Sequence, residues 1–491
     1  MKGKRKIAAL LSMLFLLSVF VGGCTGKATP QNNPHQAKES DSDKSKDSSK
    51  TNDADSKKKS GQKEASNPHI KDAVFKEKPM DLEGREIKFL SGFPNRWRKN
   101  PEEGTSTPNA VLEVVDSLAE IEKDYNCKIT VEEIKGRDLV ARALTEKAAG
   151  NTLGDILAMD ITGSQMESLY SENIVMDLTD NKIIDLKGNS WLPQTEFSNM
   201  FGKQFGVHFL AKGSTDVLRG VMVFNKTLAE KYGLPDIYDL VKTKKWTFEE
   251  FKKCCETITS KAGGEVYPIG YAHEGIFTPL FVFANNGTYV NNTPKGYQFD
   301  PLQENTLEAN NFVVDLLKAG YVYPHPNNDE DEDQLFMDGK YVFYCGNYSA
   351  QSKYRANMAD EYGMIPVPMG PKATDYCVVT YNDSIFHIFN NIEKPDEVAA
   401  VLVAIANRCS KKNILKDEMM TELSDEESAE IFEMLYANVK CDLSRVVSTV
   451  RGKLKTTNTQ ILQLETTPAE VYESIKPEVQ GLLDQVIFKG K

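Results

Sequence analysis

The chain has 491 residues, of which 26% are charged and 40% hydrophobic, and its formal net charge is −12. That length exceeds what one core accommodates and suits two domains. The acidic balance excludes a nucleic-acid-binding role, which needs a basic surface to neutralise phosphates.

In chain order, Lys2, Lys4, Arg5 and Lys6 precede an apolar run over 7–21. This is the charged-then-apolar order of a secretory signal peptide, and the run is short for a membrane span. It closes on Gly22, Gly23 and Cys24, and the stretch LSVFVGGCTG resembles the lipobox of bacterial lipoproteins. The resemblance implies cleavage before Cys24, two acyl chains on the new N-terminus and a stable membrane anchor; an ordinary signal peptide cut elsewhere is the alternative. Residues 1–23 are therefore read as the signal peptide and 24–79 as a polar tether. The stretch 27–69 contains no aromatic residue and cannot bury enough apolar area to offset its ordering entropy. A flexible coil of about 50 residues spans about 40 Å. Its charges alternate in sign, unlike a basic nucleic-acid arm.

The body, about 410 residues from Met80 onward, is long enough for two cores. REIKFL reads as a strand and TPNAVLEVVDSLAEIEKDY as a helix, with Thr107 expected as N-cap and an apolar face from Val111 to Tyr125. CKITVEEI, GRDLVARALTEKAAG and DILAMD continue as strand, helix and strand. A βαβαβ series implies a parallel sheet covered by helices, with ligands bound outside the carboxyl ends of the strands. Extended segments follow at 207–210 and 218–224. WTFEEFKKCCETIT then opens a helix, with Thr247 and Glu250 as a capping box and Trp246 stapled against Phe251. Later helices are expected in NNFVVDLLKAG, EDQLFMDGK, KPDEVAAVLVAIANR and PAEVYESIKPEVQGLLDQ, the last opened by Thr467 and Glu470. YVFYCG is a strand, and the expected fold class is α/β in both domains.

No G-x-S-x-G, H-E-x-x-H, G-K-[ST] or C-x-x-C motif occurs, and His208, His273, His325 and His387 stand isolated. The chain is therefore read as a binding protein rather than an enzyme, with no cofactor and no metal. Asp329, Asp331 and Asp333 alternate like a calcium loop, but Gln334 and Lys340 occupy the positions that need Gly and Glu; the acids instead suit a helix start. Setting Cys24 aside, seven scattered cysteines remain, an odd set unlike a disulfide framework. Cys254 and Cys255 fall on the apolar side of the Trp246 helix.

Loops beside the strand ends are rich in aromatic and amide side chains: Phe93, Asn95 and Trp97; Trp191; Asn285, Asn286 and Tyr289; Asn347 and Tyr348; Tyr376, Tyr381, Asn382 and Asp383. Such residues suit sugars, whose C–H faces rest on rings and whose hydroxyls pair with amides and carboxylates.

The order of lipobox, tether and βαβαβ, followed by GVHFLAKGSTDVLRGVMVFNK, LPDIYDLVKTKKWTFEEF, FMDGKYVFYCGNYSA, GMIPVPMGPK and PAEVYESIKPEVQGLLDQ, resembles the extracellular solute-binding lipoproteins of bacterial ABC importers, in their carbohydrate-oriented branch. The likeness covers essentially the whole chain. It implies a periplasmic-binding-protein-like architecture, two α/β lobes joined by hinge crossovers with a ligand cleft between them. The crossovers are expected at 206–225 and 363–371, with 80–219 and 366–416 in one lobe and 220–365 and 417–491 in the other. It also implies a ligand site drawn from Phe93, Asn95, Trp97, Asp160, Trp191, Tyr381, Asn382 and Asp383 on one lobe and Arg219, Asn286, Asn347 and Tyr348 on the other. Many relatives carry tryptophan at the position of Tyr348 and a glycine-rich stretch in place of VTYNDS, which points to a smaller or more polar pocket. The partners implied are a small solute, most naturally a carbohydrate, and the membrane subunits of an importer. The implied protein is a monomer on the outer face of the cytoplasmic membrane of a Gram-positive bacterium. An anchored polysaccharide hydrolase and a ligand sensor for a receptor kinase are the alternatives.

Overall fold

The structure, a computed structural model, describes residues 74–99, 107–162, 165–212, 218–293, 296–324, 331–379, 384–410 and 423–489. The signal peptide, Cys24, the tether before residue 74, His325 and Asp329 lie outside the described residues.

The first pass is the expected alternation: β1 (Arg85–Ser91), α1 (Asn109–Asp124), β2 (Cys127–Glu133), α2 (Gly136–Ala148), β3 (Ile156–Asp160) and a short α3 (Met166–Ser171). The chain continues with β4 (Arg219–Asn225), α4 (Phe248–Ala262), β5 (Tyr267–Tyr271), α5 (Glu274–Ala284), the hairpin β6 (Val290–Thr293) and β7 (Gly296–Phe299), and α6 (Glu304–Lys318). There follow α7 (Glu332–Met337), β8 (Tyr341–Asn347), β9 (Tyr362–Ile365), β10 (Val378–Val379) and β11 (Ser384–Ile388). The last elements are α8 (Pro395–Cys409), α9 (Glu426–Tyr436), β12 (Val439–Lys440), α10 (Leu443–Val446), α11 (Ser448–Leu462) and α12 (Pro468–Asp484).

Two four-stranded sheets result, one per lobe. In the first, β2, β1 and β3 run parallel, and β11 pairs antiparallel to β3 with Ser384 opposite Asp160. The first four residues of β3 are buried, as a parallel strand covered on both faces requires. α8 is buried all round from Val398 to Ala406, which explains a helical sequence without a polar stripe. In the second sheet the order is β9, β4, β8, β5; β4 is antiparallel to both neighbours, and β8 and β5 are parallel.

Local start signals act largely as the sequence implies. Thr467 and Glu470 form a reciprocal capping box. Thr247 accepts the Glu250 N–H at 3.4 Å, and the Trp246 and Phe251 rings meet edge-on at 5.5 Å. Asp331 caps α7 by accepting the Gln334 N–H at 3.2 Å. α1, however, opens one residue late, with Pro108 in the N-cap position at ψ 144 in place of Thr107. Cys254 and Cys255 are buried beside Ile258 on the inner side of α4.

The chain passes between the sheets within 212–218, 379–384 and 410–423, each link including residues outside the described set. The return expected at 363–371 falls later. Pro366 accepts the Trp246 indole N–H at 3.0 Å, Met369 and Trp246 to Phe248 exchange backbone hydrogen bonds, and Val378 pairs with Val439 of β12. The hydrogen-bonding groups of the PVPMG passage are thus engaged by the second lobe, and 366–379 remain with it.

The lobes touch along one flank. Ser448, at the start of α11, donates both its N–H (3.2 Å) and its hydroxyl (2.6 Å) to Glu167 of α3. The Phe201 N–H donates to the Tyr297 hydroxyl at 2.8 Å. Beyond α12, Phe488 lies 5.7 Å from Phe201 and 6.1 Å from Phe205, and the Lys489 N–H donates to the Ser171 carbonyl at 2.7 Å.

Candidate functional site

Ligands of α/β sheets are bound beyond the carboxyl ends of parallel strands, so each sheet is followed to that edge. In the first lobe β1 ends at Ser91 and β3 at Asp160. Phe93 is half-buried beneath the Arg96 guanidinium, 4.3 Å from its ring centre, and Asn95 is exposed. Asp160 is half-buried and its Oδ1 accepts the N–H (2.8 Å) and hydroxyl (2.9 Å) of Thr162, which holds the loop at the strand end.

The two tryptophans expected to contact ligand are core residues. Trp97 is 3% exposed, with Phe89 at 5.0 Å and Phe386 at 5.6 Å. Trp191 is 7% exposed, stacks edge-on against Phe75 at 4.8 Å and donates its indole N–H to the Ile184 carbonyl at 2.9 Å. Trp246 is fully buried, so none of the three tryptophans of the chain presents a ring to solvent. Trp97 and Trp191 sit in loops by sequence, but rings distant in the chain, Phe386 for Trp97 and Phe75 for Trp191, cover them.

In the second lobe the expected residues divide. Arg219 opens β4 and pairs with Asn347, which closes β8 after a register shift at Gly346. Tyr348 follows at the same edge, but it is 1% exposed with its ring 4.8 Å from Phe432. Asn286 is elsewhere: it follows the far end of α5, exposed and with φ 55, and an 11-residue helix is about 15 Å long. Tyr381, Asn382 and Asp383 lie outside the described residues.

α5 starts immediately beyond β5 and passes over the first residues of β4. A Cβ on Gly220 (φ +74) would lie 2.4 Å from Leu280 Cδ2 and 3.6 Å from Ile276 Cγ2, so glycine is required for this close crossing. Between the start of α5, the start of α7, and α10 and α11 lies a cavity of about 440 Å³, within the range of small-molecule sites. His273, the N-cap of α5, and Ile276 line it from one side, Glu332 from α7, Arg445 from α10, and Arg451 and Lys455 from α11. Asp442 anchors this corner. Its carboxylate accepts the backbone N–H groups of Tyr289 (2.6 Å), Val290 (3.2 Å) and Ser444 (2.8 Å), tying α10 to β6. Burial pushes its carboxyl above the usual range, against the downward pull of those donors.

A second concavity of about 830 Å³ lies between α4 and α6 over the stacked rings of Phe248 and Phe312, 4.2 Å apart. It is more open than the first. The smaller cavity is the better candidate because it adjoins the end of β5 and the α10–α11 corner through which Val446 and Ser448 reach the first lobe. No sequence expectation included its cationic residues. Arg451 and Lys455, four apart in VRGKLK, share one helix face, but the pattern alone reads equally as a solvated surface.

The profile for bacterial extracellular solute-binding proteins matches residues 116–408; the chain belongs to this family. Solved structures agree on the two-lobed fold. The maltose-bound MalE3 of T. maritima is 17% identical, with a TM-score of 0.53 over 82% of this chain and 100% of that one. The galacto-N-biose-/lacto-N-biose I-binding protein of the ABC transporter from Bifidobacterium longum is 14% identical, with a TM-score of 0.57 over 83% and 98%. UgpB from Mycobacterium tuberculosis, in complex with glycerophosphocholine, is also 14% identical, with a TM-score of 0.56 over 82% and 98%. No curated protein matches the sequence at a significant level.

Proposed function

We propose that the protein is the substrate-binding lipoprotein of an ABC importer, held to the outer face of a Gram-positive cytoplasmic membrane through Cys24, and that it captures a small saccharide by lobe closure without transforming it. The observation that carries this reading is the cavity beyond β5, set beside the flank where α11 meets α3. A solute in that position contacts one lobe in the open form and both in the closed form, and so favours closure by its differential affinity. Neighbours of this fold hold maltose, lacto-N-biose and glycerophosphocholine, so the ligand class rests on the residues of this chain.

A thermal-shift screen of the purified protein against mono-, di- and oligosaccharides, amino acids and short peptides tests it. A ligand at a hundred times its Kd adds about 2.7 kcal/mol to stability, and a saccharide is expected to raise Tm. Stabilisation by peptides or amino acids alone refutes the saccharide assignment, and turnover of a bound sugar refutes passive capture. Cys24→Ala is expected to release the protein from the membrane fraction.

A further inference from the structure

Two residues turn the chain between the short paired strands Asn199–Met200 and Lys203–Gln204, and both have positive φ, 58 at Phe201 and 71 at Gly202. Such a turn suits Asn-Gly, and a phenylalanine holds that conformation only where its surroundings fix it. Most of what surrounds the Phe201 ring belongs to the other lobe: Tyr297 at 5.9 Å and Phe488 at 5.7 Å, against Phe205 of its own lobe at 6.4 Å. The Tyr297 hydroxyl also accepts the Phe201 N–H at 2.8 Å.

Each lobe braces its own part of this contact. On the first, Phe205 stacks on Tyr170 at 4.7 Å and Lys203 pairs with Asp177 at 2.6 Å. On the second, Gln480 of α12 donates to the Tyr297 carbonyl and accepts the Phe299 N–H, both at 2.9 Å. The helix end that carries Phe488 is thereby fastened to the hairpin that carries Tyr297. Beyond Asp484 the chain crosses to the first lobe, where Val486 and Phe488 pack against the core and the Lys203 ammonium lies 5.2 Å from the Phe488 ring centre. Lys489 donates its N–H to the Ser171 carbonyl (2.7 Å) and its ammonium to Glu172 (2.5 Å). Ser171 closes α3, so its carbonyl lies past the donors of its own helix, and the crossing segment supplies one.

Building on the reading above, we propose that residues 486–489 are a latch: docked on the Phe201 turn and the end of α3, they hold the two lobes together, and opening toward solute requires their release. Such a latch biases the equilibrium between open and closed forms on which capture depends, without itself touching the solute.

Small-angle X-ray scattering and hydrogen exchange on the intact protein, with no solute added, test this. Phe488→Ala removes the ring that joins the lobes. Phe201→Asn removes its counterpart while supplying a residue suited to the turn, so it decides the matter even if Phe488→Ala fails to fold. Each is expected to enlarge the radius of gyration and to speed exchange at least tenfold at the amides of positions 201 and 489, whose acceptors lie on the opposite lobe. Amides of β1 and β4 are expected to keep their protection, which reports that each lobe stays folded. Ile487→Ala, at a residue 60% exposed, is expected to change neither reading. A radius equal to the parent's in either folded variant overturns the latch, whether or not exchange quickens, and leaves solute capture standing. Exchange quickened equally in β1 and β4 marks general destabilisation and also overturns it. Enlarged radii in a protein that no saccharide stabilises keep the latch and remove the capture reading.

Discussion

His387 gives the structure a calculable pH dependence. It lies in the middle of β11, fully buried, with Nε2 2.8 Å from the Tyr170 hydroxyl. Gly206 makes room for the imidazole: a Cβ there would stand 2.9 Å from its ring atoms. Burial disfavours the imidazolium and pushes its pKa down to about 4, although nearby backbone groups pull the other way. In the unfolded chain the value is about 6.5. Between pH 6.5 and 4 the unfolded state therefore binds one proton more than the folded state, and stability rises with pH. The contribution is complete above about 6.5 and is lost as the pH falls to about 4. At about 1.4 kcal/mol per pH unit the loss amounts to about 3 kcal/mol. Urea denaturation of the protein and of His387→Gln across pH 4 to 7.5 is the assay. The variant, which carries no titrating group there, is expected to lose about 3 kcal/mol less over that range whatever its own cost at pH 7. Parallel stability curves for the two proteins would refute the argument, since they would mean that His387 takes up its proton equally well in both states.

Other expectations follow from the same contacts. Trp97→Ala and Trp191→Ala are each expected to cost about 3–5 kcal/mol in denaturation midpoints while changing ligand affinity of the folded protein less than twofold; a large affinity loss without destabilisation would return them to the site. Glu167→Ala removes two hydrogen bonds from Ser448 across the lobes, worth about 2 kcal/mol together. X-ray scattering is expected to show a larger radius of gyration without ligand, and an unchanged radius would refute a role for this contact in holding the lobes together. Arg408 donates to Glu77 at 2.7 Å and to Asp124 at 2.7 Å. Burial raises the Glu77 pKa, but the bonds from Arg408 and Asn407 prevail and hold it below the usual value. Arg408→Ala is therefore expected to lose about 3 kcal/mol at pH 7, the lower end for a buried pair because both side chains keep some exposure. The gap should close as the pH falls through the folded value of Glu77, below its unfolded value of about 4.5, and a gap constant down to pH 3 would count against the assignment.

What the sequence determined by itself was whatever is settled within a few residues. The alternation of strands and helices through Asp160, the capping box at Thr467, the cap at Thr247 and the inward face of Cys254 and Cys255 depend on backbone groups and side chains within a turn of each other. Tertiary structure decided what depends on distant partners. Trp97 and Trp191 have the look of loop aromatics until Phe386, Phe209 and Phe75 close over them. The stretch 366–379 reads as the end of a hinge at 363–371 and the start of a return to the first lobe until Trp246 and β12 claim it. The cavity exists only because α5, α7 and α11, from three separate parts of the chain, converge beyond β5. Single helices bearing Arg451 or Glu332 carry no sign of this, because a side chain's local sequence specifies its direction on an element and not what that element will face.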